Sequence, residues 1–299
     1  MLFVKKLVTL HVCSHLSKRM KAKRILFINQ EMTPYLPETH ASKVGFTLPR
    51  EVQEGGREIR TFMPRWGNIN ERRNQLHEVI RLSGMNIIID DTDHPLIIKV
   101  ASIGAARMQV YFIDNDDYFL KRGMMCDDEN NEYADNIERA VFFARGVLET
   151  VKKLRWVPDV VHCQGWMSAV APLYLKTVFS ETPAFANTKV VFSTYKEFPQ
   201  MTPPANFKDA LMFKNVDEKF IDSLGLDFSS SEALLQLAVR FSDGLIQMEK
   251  GATPELTKEA HKQNIPVLTY PGVAKLTEKV SEFYESLYDG VENEDDSEA

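Results

Sequence analysis

The sequence has few cysteines, no long hydrophobic run and no excess of positive charge, and each absence excludes a class of protein. Three cysteines among 299 residues are too few and too widely spaced for a disulfide framework or a zinc site. This pattern predicts a cytoplasmic protein without a metal. No apolar stretch reaches the roughly 20 residues of a membrane-spanning helix, so we predict no membrane partner. A formal net charge of −6 likewise predicts no nucleic-acid partner.

Complete phosphate-binding glycine motifs are also missing. Neither G-x-G-x-x-G nor G-x-x-x-x-G-K occurs in the sequence. These are the loops with which many proteins hold a dinucleotide or a nucleoside triphosphate. We therefore predict no bound cofactor.

The two ends of the chain carry charges of opposite sign. Residues 1–24 contain seven lysines and arginines and no acid, whereas residues 289–299 contain six acids and no base. We predict that residues 1–22 are a basic extension, either disordered or not translated if Met20 is the true start. A secretory signal is the alternative, but no small-residue cleavage site follows it. Residues 289–299 are predicted to form a disordered acidic tail.

Short apolar segments alternate with longer segments of helical period through the body of the chain. Strands are predicted to begin at Arg24, Glu58, Met85, Leu96, Met108, Asp159, Lys189, Asp243 and Ile265. Helices are predicted at about Ala134–Arg155, Trp166–Phe179, Ser230–Phe241, Thr253–Gln263 and Val273–Tyr288. The alternation predicts one doubly wound, Rossmann-like α/β domain with a mainly parallel sheet over residues 23–272, followed by a C-terminal helix at 273–288.

Within this sheet, Met85–Asp90 and Leu96–Ser102 are predicted to form an inserted antiparallel hairpin, because only a short polar segment joins them. Ligands of doubly wound sheets bind beyond the carboxyl ends of the strands, where the loops converge. Four loops that follow strands are therefore candidate sites: Glu31–Pro49, Arg65–Arg73, Gln164–Met167 and Tyr195–Pro204.

The stretch Asp159–Lys176 joins a buried strand, a tight polar turn and a helix. Gln164 can donate and accept hydrogen bonds, but neither it nor Gly165 can exchange a proton. His162 ends the strand, and Trp166 offers an aromatic face to a sugar ring. The alternative is a purely structural role, with the histidine hydrogen-bonded at the strand end and the tryptophan packed in the core.

The other loops offer weaker candidates. Lys43 and Gly45 follow the first strand, where a glycine lets the backbone approach a phosphate and a lysine supplies charge. A plain surface lysine explains the same pattern. Arg65 beside Trp66 can cradle a sugar or a phosphate, or can belong to a set of paired surface charges. Tyr195 at a strand end is a candidate catalytic phenol, although nothing in the sequence pairs with it.

Five segments occur in an order typical of one enzyme family. They are ILFINQEMTPY, LPREVQEGGREIRTFMPRWGNI, VYFIDNDDYFLKRG, YADNIERAVFFARGVLETVKKLRWVPDVVHCQGWMSAVAPLYLK and LAVRFSDGLIQMEKGATPEL. From about Lys23 to Tyr270 the chain resembles the N-terminal domain of bacterial glycogen synthases and plant starch synthases. These are retaining glucosyltransferases of the two-domain GT-B fold. The resemblance implies a single N-terminal-type GT-B lobe that acts in α-glucan metabolism.

The sequence departs from the family pattern where the family's chemistry takes place. The family turn H-x-H-D-W is His162-Cys163-Gln164-Gly165-Trp166 here, and the family's later His-Asn is Tyr195-Lys196. The family loop Lys-x-Gly-Gly has lost its second glycine after Gly45. The resemblance implies substrate-binding roles for Lys43, Gly45, His162, Trp166 and Trp66. Gln164, Gly165 and Tyr195 occupy the family's catalytic-turn positions, and no catalytic residue is assigned.

Three functions remain open from the sequence. The first is a synthase-like domain that does not catalyse alone. It binds an α-glucan, a maltooligosaccharide or a partner, or serves as a regulatory unit. The second is one lobe of a split glucosyltransferase. That lobe would work with a separately encoded C-terminal lobe that binds the nucleotide sugar, moving glucose from ADP-glucose or UDP-glucose to an α-1,4-glucan end. The third is an unrelated α/β binding domain. The resemblance further implies that this chain lacks the family's C-terminal lobe.

Rebuilding the family turn with Gln164→His and Gly165→Asp tests these interpretations. An aspartate just before the helix near Trp166 would interact favourably with the helix dipole. We therefore expect the double variant to stay folded, with a stability change of no more than about 2 kcal/mol. A positive φ at Gly165 is the alternative, because aspartate would then destabilise the turn by about 1 kcal/mol or more.

Overall fold

The computed structural model describes residues 21–196 and 201–288, over which strands and helices alternate. The strands are β1 (Arg24–Asn29), β2 (Glu58–Pro64), β3 (His77–Glu78), β4 (Met85–Ile89), β5 (Thr92–Ile103), β6 (Met108–Asp114), β7 (Val160–Gln164), β8 (Lys189–Thr194), β9 (Gly244–Gln247) and β10 (Val267–Leu268). The helices are α1 (His40–Glu54), α2 (Asp116–Phe119), α3 (Asn136–Lys153), α4 (Ala171–Lys176), α5 (Phe207–Leu211), α6 (Glu218–Ser223), α7 (Ala233–Arg240), α8 (Pro254–Lys262) and α9 (Leu276–Ser286).

The centre of the fold is a twisted sheet whose strands are mainly parallel. Among the described residues, parallel pairing runs in the order β10-β9-β8-β7-β1-β2-β6. The chain builds outward from β1 in both directions, which is the doubly wound arrangement. β5 extends the sheet antiparallel to β6, and β4 pairs antiparallel with β5. The predicted α/β fold class and the predicted hairpin are therefore confirmed.

Helices cover both faces of the sheet, and the alternation of side chains along β1 shows how. Leu26 and Ile28 belong to a large hydrophobic cluster on one face, together with the apolar stripe of α3. Ile25 and Phe27 belong to a smaller cluster on the other face, together with residues of α1 and α9. Because successive side chains of a strand point to opposite faces, a strand covered on both sides is apolar throughout.

Helix α1 occupies part of the segment Glu31–Pro49 that the sequence predicts to be a loop, so this prediction is wrong from His40 onward. Thr39 is the N-cap of the helix. Its hydroxyl accepts a hydrogen bond from the backbone N of Ser42 at 2.9 Å, and the Ser42 hydroxyl accepts one from the backbone N of Thr39 at 2.8 Å. This reciprocal pair is a capping box, in which serine takes the third position that glutamate more often holds.

A proline inside α1 explains why the helix is not predicted from the sequence. Pro49 lies in the third turn and has no N–H to donate to the carbonyl of Gly45. That carbonyl instead accepts a hydrogen bond of 3.0 Å from the side-chain amide of Asn29, which is fully buried at the end of β1. A tertiary contact thus replaces the missing helical hydrogen bond.

The helix predicted over Trp166–Phe179 is broken in two, which corrects that prediction. A 3₁₀ turn covers Trp166–Ser168, and α4 begins only at Ala171. Pro172 lies in the first turn of α4, where its missing N–H does no harm. The same proline cannot bond back to Ser168, so a continuous helix through this point is disfavoured.

Helix α9 lies within the predicted C-terminal helix and forms part of the core. Its residues Leu276, Val280 and Tyr284 are buried in the smaller cluster. The buried Arg57 forms an ion pair of 3.0 Å with Glu285 of the same helix. The predictions for residues 1–20 and for the acidic tail 289–299 lie outside the described residues.

Short elements account for the remaining differences from the sequence prediction. β3, α2, α5 and α6 are not predicted, because each has six residues or fewer and shows no periodicity. No helix of the described residues is long and apolar enough to cross a membrane. Nor do the described residues bring three histidine, cysteine or acidic side chains close enough together to hold a metal ion.

Candidate functional site

A cavity of about 420 Å³ opens beyond the carboxyl ends of β1, β7 and β8. Three of the four predicted loops border it, and the loop Arg65–Arg73 does not. Its described lining residues are Gln30, Glu31, Thr39, His40, Ala41, Gln164, Gly165, Tyr195, Lys196 and Glu249. The sequence predicts Gln164, Gly165 and Tyr195 as site positions and the start of α1 only as part of the candidate loop Glu31–Pro49. Glu249 lies outside all four predicted loops.

The turn after β7 is held by the side chain of Gln30. Gly165 has φ +83° and ψ 167°, a combination open almost only to glycine. The carboxamide oxygen of Gln30 accepts a hydrogen bond of 2.9 Å from the backbone N of Trp166. A Cβ at Gly165 would lie 2.6 Å from both Cβ and Oε1 of Gln30. The expectation that Gly165→Asp is well tolerated is therefore wrong, because both the positive φ of Gly165 and the side chain of Gln30 oppose a side chain there.

Gln164 and Tyr195 form a hydrogen-bonded pair in the cavity wall. The Tyr195 hydroxyl donates to Oε1 of Gln164 at 2.9 Å, and both side chains are buried. Burial raises the pKa of Tyr195, and the negative charges of Glu31 and Glu249 raise it further. The phenol therefore stays protonated near neutral pH. Nε2 of Gln164 is a buried donor that has no hydrogen-bond partner among the described residues.

Two carboxylates face this pair from different loops. Glu31 accepts a hydrogen bond of 2.6 Å from the Thr39 hydroxyl and one of 3.2 Å from the Gln30 amide. Glu249 accepts a bond of 2.5 Å from the backbone N of Lys196. With His40 counted as neutral, the lining residues that the structure describes carry two negative charges and one positive charge. The cavity is thus weakly acidic.

His162 lies behind the cavity and does not line it. Its Nδ1 is 2.6 Å from the Tyr284 hydroxyl, and its Nε2 bonds to the Ser193 hydroxyl. Complete burial lowers the pKa of His162 from 6.5 to about 3. The imidazole is therefore neutral at physiological pH and fixes α9 to the sheet, as the structural alternative expects.

Lys43 and Gly45 both lie in α1 and outside the cavity lining. The Lys43 ammonium is 3.3 Å from Glu38, and both side chains are exposed to solvent. A Cβ at Gly45 would lie 2.3 Å from the backbone oxygen of Glu31. This glycine therefore lets α1 approach the loop after β1, rather than letting a ligand approach the backbone.

The two predicted tryptophans are core residues. Trp66 is 0% exposed and Trp166 is 2% exposed. The indole N–H of Trp66 donates to the carbonyl of Gln30 at 2.7 Å, and the Arg139 guanidinium lies 5.2 Å from its ring centroid. Neither indole presents a face to a sugar in this structure, although Trp66 supports the segment that carries Gln30.

Arg65, the first arginine of the cluster after β2, also has a structural role. Arg65 is buried, and its Nε is 3.1 Å from Asp114 and 3.2 Å from Glu71. Lys99 completes the network at 2.8 Å from Asp114 and 2.7 Å from Glu71. Two cations thus neutralise two carboxylates, as in the alternative of paired charges, but Arg65 and Asp114 are buried and not at the surface.

Comparisons with known proteins give a consistent family. Residues 24–266 match the starch synthase catalytic domain. Glycogen synthase of Pelodictyon phaeoclathratiforme is 29% identical over 90% of this chain and 53% of its own length. That of Chlorobium chlorochromatii is 32% identical over 78% of the chain and 48% of its own length. That of Chlorobium limicola is 33% identical over 59% of the chain and 36% of its own length.

A solved structure shows the same fold. The catalytic domain of starch synthase IV from Arabidopsis thaliana, bound to ADP and acarbose, superposes with a TM-score of 0.63 at 18% identity. The superposition covers 83% of this chain and 51% of that one. The chain thus spans about half the length of the relatives that it matches. The family match excludes the third alternative from the sequence, an unrelated α/β domain.

Proposed function

We propose, from the premise that this chain belongs to the starch synthase catalytic domain family, that it binds the end of an α-glucan or maltooligosaccharide and does not transfer glucose alone. The binding site is the cavity beyond β1, β7 and β8. Its volume of about 420 Å³ lies in the range of small-ligand pockets. That the protein is cytoplasmic stays a prediction from its few, widely spaced cysteines.

The chemistry of the cavity wall carries this proposal. The wall combines two amides, a protonated phenol and two carboxylates, which together offer donors and acceptors for sugar hydroxyl groups. The amide of Gln164 contributes the unpaired donor Nε2. Sugars are uncharged, so hydrogen bonds of this kind supply most of their recognition.

The turn after β7 supports the absence of glucose transfer. Gln164 and Gly165 have no proton to exchange, and the pKa of Tyr195 is raised away from neutrality. His162 is sealed in the core with a pKa of about 3. The residues at the family's catalytic-turn positions are therefore suited to hydrogen bonding and not to proton transfer.

Calorimetric titration with maltoheptaose tests binding, with a matched pair of variants. Gln164→Met removes the amide at similar length, and we expect it to weaken binding at least about fivefold, or about 1 kcal/mol. Gln263→Met is the control, because Gln263 is exposed at the end of α8 and outside the cavity. Equal affinities of both variants and the wild type for maltoheptaose would refute the proposal that this cavity is the binding site.

Transfer is tested separately with labelled ADP-glucose and glycogen. We expect no incorporation of label above that of a heat-killed sample. Incorporation clearly above that level would refute the claim that the chain does not catalyse alone.

The second candidate is one lobe of a split glucosyltransferase that moves glucose from ADP-glucose or UDP-glucose to an α-1,4-glucan end. The family match favours this candidate, because the curated relatives that the chain matches are named glycogen synthase. Under this alternative, transfer should appear when the chain is mixed with a separately encoded nucleotide-sugar lobe and should be missing from either component alone.

A further inference from the structure

We propose that Glu31 and Glu249 determine specificity by keeping phosphate-bearing ligands out of the cavity, which restricts it to uncharged sugar ends. This inference rests on the proposed function, because it names which sugars the same site accepts. It concerns charge selection, so it can be tested apart from glucan binding.

The position of Glu31 carries the first part of the argument. The N-terminus of α1, a helix of 15 residues, borders the cavity and would by itself attract an anion. Glu31 places a carboxylate of the protein at this end, 2.6 Å from the hydroxyl of the N-cap Thr39. Because the Gln30 amide also donates to Glu31, the carboxylate is held in place. The attraction of the helix end is therefore already satisfied within the chain.

Glu249 borders the same cavity from a different loop. It follows β9, and the backbone N of Lys196 holds its Oε1 at 2.5 Å. Both carboxylates line the cavity together with Tyr195, and their charges raise the pKa of this phenol. A phosphate group beside this phenol would be repelled from two sides, and Lys196 is the one cation among the described lining residues.

A buried, unpaired donor beside the carboxylates supports a ligand at this cavity. Gln164 is 3% exposed, borders the cavity, and leaves Nε2 without a partner among the described residues. A buried donor of this kind is unfavourable unless a ligand or water satisfies it. An amide suits a hydroxyl oxygen and carries no charge to offset the repulsion of a phosphate. The ligand that fits both observations is an uncharged sugar.

Neutral variants of equal size test the proposal. Glu31→Gln and Glu249→Gln each remove one charge and keep one acceptor oxygen, for Thr39 and Lys196 respectively. Glu31→Gln also loses the hydrogen bond from the Gln30 amide, because a carboxamide nitrogen cannot accept it. Glu38→Gln is the matched control, since Glu38 is exposed, pairs with Lys43 and does not line the cavity. The affinities of all four proteins for maltotriose and for glucose 1-phosphate are measured by calorimetry at low salt, after thermal unfolding confirms the fold.

We expect wild type and Glu38→Gln to bind glucose 1-phosphate at least about tenfold more weakly than maltotriose. Each cavity variant should bind glucose 1-phosphate at least about fivefold more tightly than wild type, with a smaller change for maltotriose. The gain should shrink at high salt, because salt screens charge repulsion. If the variants bind glucose 1-phosphate no better than Glu38→Gln, the charge selection is wrong, even where maltotriose binds. If maltotriose fails to bind wild type while the variants still gain glucose 1-phosphate, charge selection stands and the glucan function falls.

Discussion

Replacing Gly165 by alanine should destabilise the protein more than the same change at a glycine of equal backbone conformation. Gly165 has φ +83° and ψ 167°, and Gly272 has φ +89° and ψ 154°. A Cβ at Gly272 meets nothing within 4 Å, whereas a Cβ at Gly165 would lie 2.6 Å from Gln30. The pair therefore separates backbone strain from collision with a neighbour.

The expected magnitudes follow from these two terms. Alanine in this region of backbone space costs about 1–3 kcal/mol, and this term is common to both variants. At Gly165 the side chain of Gln30 must also move, which breaks its hydrogen bond to the backbone N of Trp166. An unsatisfied buried N–H costs about 1–3 kcal/mol. We therefore expect Gly165→Ala to be less stable than Gly272→Ala by about 2 kcal/mol.

Urea unfolding followed by circular dichroism measures both variants against wild type, with the slope m as a check on two-state behaviour. Equal losses of stability in the two variants, within about 0.5 kcal/mol, would show that Gln30 does not hold the turn. The same result would leave only the backbone conformation of Gly165 to oppose Gly165→Asp. The reasoning would also fail if Gly272→Ala were the less stable of the two.

Two further predictions concern helix α9. The pKa of His162 is about 3 when folded against 6.5 in its ordinary state, so only the unfolded chain gains this proton as the pH falls below 6.5. From pH 6.5 towards pH 3, this group should therefore lower the free energy of unfolding by up to about 1.4 kcal/mol per pH unit. Urea unfolding at each pH measures this change. His162→Asn should make the dependence of stability on pH less steep. Ending the chain after Gly272 removes three buried side chains worth about 1.5–3 kcal/mol each, so the melting temperature should drop by more than about 10 °C. An unchanged melting temperature would contradict a structural role for α9.

The sequence predicts the sheet well because burial on two faces leaves an unambiguous signal. Consecutive residues of β1 (Ile25–Ile28) and the start of β7 (Val160 and Val161) are apolar on both faces, and the stripe of α3 recurs at steps of three and four. Helix α1 gives no comparable signal. Its Pro49 argues against a helix, and only the side chain of Asn29 on a neighbouring strand supplies the missing hydrogen bond. Asn29 and Gly45 are 16 residues apart in the sequence, so the fold and not a local pattern determines their contact.

The site is harder to predict than the sheet for a related reason. Motif positions identify Gln164, Gly165 and Tyr195, which do border the cavity. The same reasoning selects Trp66 and Trp166 for their chemistry, but aromatic side chains bury so much apolar area that packing is their commoner role. Glu31 and Glu249 lie within family-like segments, but the sequence assigns neither of them a role. Their importance arises only because parallel strands end at one edge of the sheet, where the loops after β1 and β9 face one phenol. Charge selection in this cavity is therefore a property of the assembled loops and not of any segment.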